Sequence, residues 1–162
     1  MVGQPNSPDV LKYNLRLATE EDVDVLLEMG RKFYATTPFA RLAEYNEDAA
    51  SIDAFGMIDN GYLIVAEHVE SGEVIGMLGA LYAPLPFTLD KTIAVERMFW
   101  IEPEHRGTTL AKEMLAVTEA AMREEGAEVL VLSSLSTSPT GVDKLYRFMG
   151  YQQTESSYMK EL

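Results

Sequence analysis

The chain has no cysteine among its 162 residues. Disulfides, thiolate metal sites and a cysteine nucleophile are excluded at once. Histidine is scarce too. His68 and His105 are the only two, and without cysteine they make a structural zinc site a poor reading, so no metal is expected. Basic residues number 13 against 26 acidic ones, giving a formal net charge of −13. Such a surface repels phosphate backbones, which disfavours nucleic-acid partners. It attracts cationic ligands such as amines, although solubility is the commoner use of surface charge. No run reaches the roughly 18 apolar residues of a membrane span, and the most apolar stretch, residues 74–87, is broken by Pro84 and Pro86. The first dozen residues lack the basic start and apolar block of a signal peptide. No membrane partner is therefore expected, and the cytoplasm is the default location.

What is present reads as one domain, because 47% of the residues are apolar and the length is enough for one core. Residues 1–12 show no periodicity and read as a flexible N-terminal arm, with a single domain over 13–162. Tyr13 to Ala18 alternates as a half-buried strand does. Thr19 then precedes Glu20, Glu21 and Asp22, an N-cap with acidic first-turn residues, and a helix is predicted to about Ala35. A second helix is predicted over Glu47 to Ile58. Strands follow at Tyr62 to Val69, Val74 to Tyr82 and Thr92 to Ile101, the first two joined by a turn at residues 70–73. Gly107 to Glu125 is amphipathic at helical spacing and ends at Gly126. Glu128 to Leu132 reads as a strand buried on both faces, Gly141 to Met149 as a short helix, and Tyr151 to Met159 as a closing strand. The order β-α-α-β-β-β-α-β-α-β defines a mixed α/β (α+β) sheet in which the strand before Gly107 and the strand after it run parallel.

The stretch from Phe99 to Ala111 passes from a strand through Pro103 straight into a helix N-terminus. Such a terminus offers unpaired amides and a partial positive charge, a ready anion site. Small residues at Gly107, Thr108, Thr109 and Ala111 allow close approach to the backbone, and Arg106 adds a cation. A diphosphate is the natural guest.

These residues resemble the pyrophosphate-binding motif of the GNAT acyltransferases, Gln/Arg-x-x-Gly-x-Gly/Ala, and the chain is similar to the family's bacterial and phage-type members. Arg106 fills the first position and Ala111 the last, while Thr109 stands where the first glycine is usual. Residues 15–22 are similar to the family's first strand and helix entry. Leu145-Tyr146 and Gly150-Tyr151 resemble its Leu-Tyr-x-x-x-Gly-Phe/Tyr signature. The resemblance spans about residues 13 to 161. It implies a GNAT-like fold and an N-acetyltransferase that moves the acetyl group of acetyl-coenzyme A to a primary amine in a ternary complex.

Residue roles follow from the resemblance. Backbone groups of Phe99, Trp100 and Ile101 would pair with the pantetheine arm, and an amide there would serve the oxyanion. Arg106, Gly107, Thr108, Thr109, Leu110 and Ala111 would hold the diphosphate. Tyr146 would protonate the leaving thiolate, and Glu96 would act as general base. Acetyl-coenzyme A is then a co-substrate beside an amine acceptor, and a homodimer is an option, since dimers are common among relatives. From the residues alone, Tyr146 also reads as a core tyrosine, and Glu96 as an outward strand residue paired with Arg97 or Lys91. Glu67 and Glu73 are lesser candidates for the base, and Ser138 falls near a position where relatives often carry asparagine. The acceptor site is expected among residues 36–46, residues 82–88 and the closing strand, with Phe39, Arg41, Tyr45, Phe87 and Tyr158. Two further readings stay open: a catalytically silent GNAT-like module in a larger assembly, favoured by Thr109, and transfer of a longer acyl group or to a non-amine acceptor.

Overall fold

A computed structural model describes residues 12–162; the expected N-terminal arm lies almost wholly outside them. Five strands form one sheet in the order β1-β2-β3-β4-β5. They are β1 (Tyr13–Leu17), β2 (Tyr62–His68), β3 (Val74–Pro84), β4 (Thr92–Ile101) and β5 (Val129–Val131). The first four pair antiparallel and β5 joins β4 parallel, with Ile93 opposite Val129 and Val95 opposite Val131. Four α-helices complete the fold: α1 (Val23–Thr36), α2 (Glu47–Asn60), α3 (Leu110–Glu124) and α4 (Val142–Phe148). The mixed α/β architecture and the parallel unit across α3 are those expected from the sequence.

Helix layers cover both faces of the sheet, which is why β2 as far as Ala66, and β3, are apolar instead of alternating. Tyr62, Ile64, Ala66 and Leu78 pack with Leu110, Met114, Leu115 and Tyr146 on the side of α3 and α4. Leu63, Val65 and Met77 pack with Leu26, Met29 and Met57 on the side of α1 and α2. Thr19 begins α1 through a 3₁₀ turn at Glu20–Asp22, where its amide donates to the Asp22 carboxylate at 2.8 Å. α3 starts three residues later than its periodicity predicts, because Gly107 to Thr109 form the turn that enters it. Gly107 takes φ +75°, a left-handed value at which a side chain is strained.

Two expectations are corrected. Residues 151–162 form no strand. The reason lies in β5, which pairs for three residues only before the chain turns away at Ser133, leaving too short an edge to hold another strand. For the same reason β5 is an edge strand and not one buried on both faces, with Val129 45% exposed.

The feature that positions the site is a bulge. Gly79 pairs with Met98 and Ala80 with Glu96, so Arg97 is an extra residue in β4. Alternation changes phase across it. Ala94 faces α3 and α4 before the bulge, and Phe99 and Ile101 face the same layer after it, while Met98 and Trp100 face α1 and α2. By this count Glu96 lies on the α3–α4 side. Opposite the bulge, a Cβ on Gly79 would stand 2.4 Å from Met57 Sδ, so α2 packs closely on the sheet there and a larger residue would require the Met57 side chain to move.

Candidate active site

β4 and β5 part company immediately after Val95 and Val131. From Glu96 onward β4 has a neighbour on one side only, and a gap opens toward α3. The Glu102 amide donates to the Ile75 carbonyl at 2.8 Å, which sets the phase of the ladder with β3. Ile101 and Phe99 therefore turn their backbone N–H and C=O groups the other way, into the gap. Apart from the Ile101 carbonyl, which accepts from Arg106 Nε, these are unpaired strand groups of the kind an extended amide ligand can bond.

Glu96 and Tyr146 meet where the gap begins, through Ser133. The Ser133 amide donates to Glu96 Oε2 at 2.9 Å. Tyr146 Oη donates to the Ser133 carbonyl at 3.3 Å. Burial pushes the Glu96 carboxyl up to about 6, against the pull of the Ser133 amide and the Arg97 charge. Tyr146, 9% exposed, is pushed well above the ordinary phenol value, first by burial and then by the nearby Glu96 and Asp143 charges. Neither of the ion pairs considered for Glu96 forms. Arg97 pairs with Asp53 at 3.0 Å, and Lys91 pairs with Glu128. The pair thus comprises a carboxyl able to change protonation near neutral pH and a phenol that keeps its proton there.

At the other end of the gap, the turn into α3 is open to a ligand. Leu110 N donates to Thr108 Oγ1 at 3.2 Å. Among the described residues, no acceptor lies on the amides of Gly107, Thr108, Thr109, Ala111 or Lys112. Thr109 has φ −75°, so its backbone does not require glycine, and its hydroxyl donates to Glu113 along the helix. Arg106 folds back onto the strand end: Nε donates to the Ile101 carbonyl at 2.7 Å and Cζ lies 4.4 Å from the centre of the Trp100 ring. Free amides at a helix start beside an unpaired strand edge suit a ligand with an anionic end and an amide-bearing arm.

Residues 26–151 match the model of the acetyltransferase (GNAT) family. The chain belongs to the GNAT acetyltransferase family. A "predicted acetyltransferase" from Clostridium acetobutylicum, solved with acetyl-CoA, is similar to it at 18% identity and a TM-score of 0.71, over 92% of this chain and 96% of that one. The aminoglycoside N-acetyltransferase AAC(6')-Iy, solved with CoA, shares 14% identity at a TM-score of 0.71, over 97% and 99% of the two chains. A GNAT family acetyltransferase from Staphylococcus aureus shares 18% identity at a TM-score of 0.64, over 94% and 100%. These likenesses are of fold. No curated protein sequence matches the chain.

The remaining candidates of this GNAT domain are dispersed. Glu67 is bound to Arg16 at 3.0 Å, and Glu73 accepts from Ser71. His68 and His105 pack edge-on against Tyr13 and tilted against each other at the far ends of β1 and β2, with 5.5 Å between the histidine ring centres. Ser138 Oγ accepts from the Leu135 amide and shapes its own loop, where Ser134, Ser136 and Asp143 help to line a cavity of about 370 Å³. Tyr45 donates to the Leu27 carbonyl at 3.0 Å and fastens the segment before α2 to α1. Arg41 reaches Glu161 at 3.9 Å, which brings the C-terminal segment to the turn after α1. Phe87 and Tyr158 stand fully in solvent. Among the described residues, no group of three or more His, Asp or Glu side chains is placed to hold a metal, and no helix is long and apolar enough to cross a membrane. The resemblance pointed to Glu96 and Tyr146 but not to Ser133 as the residue that joins them, because its contribution is backbone and available to any residue.

Proposed function

We propose that residues 13–162 act as one N-acetyltransferase domain, transferring the acetyl group of acetyl-coenzyme A directly to a primary amine in a ternary complex, in the cytoplasm. The observation that carries this reading is the junction at Ser133, which holds Glu96 and Tyr146 together at the head of a gap lined by free strand and helix amides. Acetyl-coenzyme A supplies an activated thioester. Backbone groups of Phe99 and Ile101, beside Trp100, receive the pantetheine arm. The turn from Arg106 through Gly107, Thr108, Thr109, Leu110 and Ala111 receives the diphosphate.

Glu96 is the base. An amine acceptor is mostly protonated at neutral pH and must lose a proton before attack, and a carboxyl at about 6 is matched to taking it, directly or through a water. Tyr146 keeps its proton until the thiolate departs and then donates it. Sharing one residue as an anchor keeps base and acid a fixed distance apart, so proximity does much of the remaining work.

The test is a mass-spectrometric screen of purified protein with acetyl-coenzyme A and a panel of small and peptide amines. Acetylated product with matching thiol release supports the proposal. Coenzyme A bound without turnover across the panel favours the silent module, and competition between acyl-coenzyme A species tells acetyl from longer acyl transfer. Absence of coenzyme A binding rejects the reading altogether.

A further inference from the structure

Arg106 has a geometry that a simple phosphate-binding arginine does not need. Its Nε–H is committed to the carbonyl of Ile101, five residues earlier, and the flat guanidinium lies on the Trp100 ring. Trp100 is 8% exposed, and its indole N–H has no acceptor among the described residues. The ring is held by packing instead, with Phe33 edge-on at 6.4 Å on one side and the guanidinium over its face. Between Ile101 and Arg106 the chain makes a 3₁₀ turn at Pro103–His105, and Thr108 Oγ1 then donates to the His105 carbonyl at 3.2 Å. No carboxylate among the described residues pairs with Arg106.

We infer that Arg106 is a positioning residue: clamped between the Trp100 face and the Ile101 carbonyl, it closes the loop from the end of β4 and fixes the direction of the amides that enter α3. The terminal nitrogens make no hydrogen bond or ion pair among the described residues, which leaves them for a diphosphate. This rests on the coenzyme reading of that turn. The clamp needs a planar cation with a donor on its edge, which lysine lacks although it keeps the charge.

The experiment compares wild type with Arg106→Lys, Arg106→Ala and Trp100→Phe. Trp100 is the only tryptophan, so its emission reports the clamp in ligand-free protein. Both Arg106 variants are expected to change that emission by the same amount. In calorimetric titration with coenzyme A, both are expected to weaken binding about tenfold, the loss typical of one charge-assisted hydrogen bond. Trp100→Phe keeps a face for the guanidinium and is expected to bind within about threefold of wild type. Arg106→Lys binding within about twofold of wild type would overturn the inference, because charge alone would then suffice. So would emission identical in wild type and Arg106→Ala. Wild-type protein that binds no coenzyme A would overturn the proposed function, while the emission comparison would still decide whether the clamp exists.

Discussion

Among the described residues, Asp22 is buried and Glu96 half-buried, and the two carboxylates behave in opposite ways. Asp22, 6% exposed, accepts two hydrogen bonds from the Arg16 guanidinium, at 2.8 and 2.9 Å, and one from the Thr19 amide. The guanidinium holds its carboxyl below the usual range despite the burial. Glu96 accepts one amide, from Ser133, and has no cation bonded to it, so burial dominates and its carboxyl rises to about 6. The cations beside it in sequence are spent elsewhere, Arg97 on Asp53 and Lys91 on Glu128. Removal from water therefore does not decide what a carboxylate does; its partner does. Asp22 is built to stay charged and tie β1 to α1. Glu96 is left able to take a proton at the pH where an amine must give one up.

The largest effect that would sharpen this contrast is expected from Tyr146→Phe. It leaves the packing intact and removes the phenol proposed to protonate the thiolate, so turnover should fall roughly 10³-fold with coenzyme A affinity unchanged. A loss under tenfold would show that the phenol is not the acid. Glu96→Gln comes next, with turnover down about 10²-fold at pH 8. Wild-type rate should rise with pH through about 6 and then level off, as the carboxyl becomes free to accept a proton, and the variant should lose that step.

The other arm of the comparison is read in stability. Arg16→Met leaves Asp22 buried without its cation, and a loss of about 2 kcal/mol is expected in urea melts at pH 7, allowing for the partial exposure of Arg16. The depressed Asp22 carboxyl contributes stability that is present above its unfolded value near ~3.9 and lost as pH falls through its lower folded value. The difference between the two proteins should therefore close only in acid. The smallest effect has the opposite sign. Folded Glu96 holds its proton more tightly than the unfolded chain does, so stability falls as pH rises from about 4.5 to about 6. Glu96→Gln should be more stable than wild type by about 1 kcal/mol at pH 7, half of the roughly 2 kcal/mol the rise implies because Glu96 is only half-buried, and equal to it in acid. A destabilised variant would mean that the Ser133 bond outweighs the burial.

Most of the elements could be read along the chain because their signals are local. Thr19 with Asp22, the apolar spacing of α3 and the pattern of β2 each depend on neighbours a few residues away. The closing strand expected from the sequence is absent for a matching reason. Tyr151 to Met159 has a strand-like pattern, but whether it pairs depends on the length of β5, and β5 is cut short at Val131 by the turn that takes Ser133 to Glu96. The diphosphate turn was legible as a motif. The posture of Arg106 within it was not, since nothing in residues 103–111 says that the guanidinium will lie back on Trp100.

The sequence by itself determined the mixed α/β order, the family and the residue types available for chemistry, because periodicity, caps and a turn motif are written in short segments. Tertiary structure alone decided that Arg97 is an extra residue in β4, that Glu96 thereby lies on the same side of the sheet as Tyr146, and that both end on Ser133. A bulge is a relation between two strands, here the register of β3 against β4 at Gly79 and Ala80, and no single strand contains it.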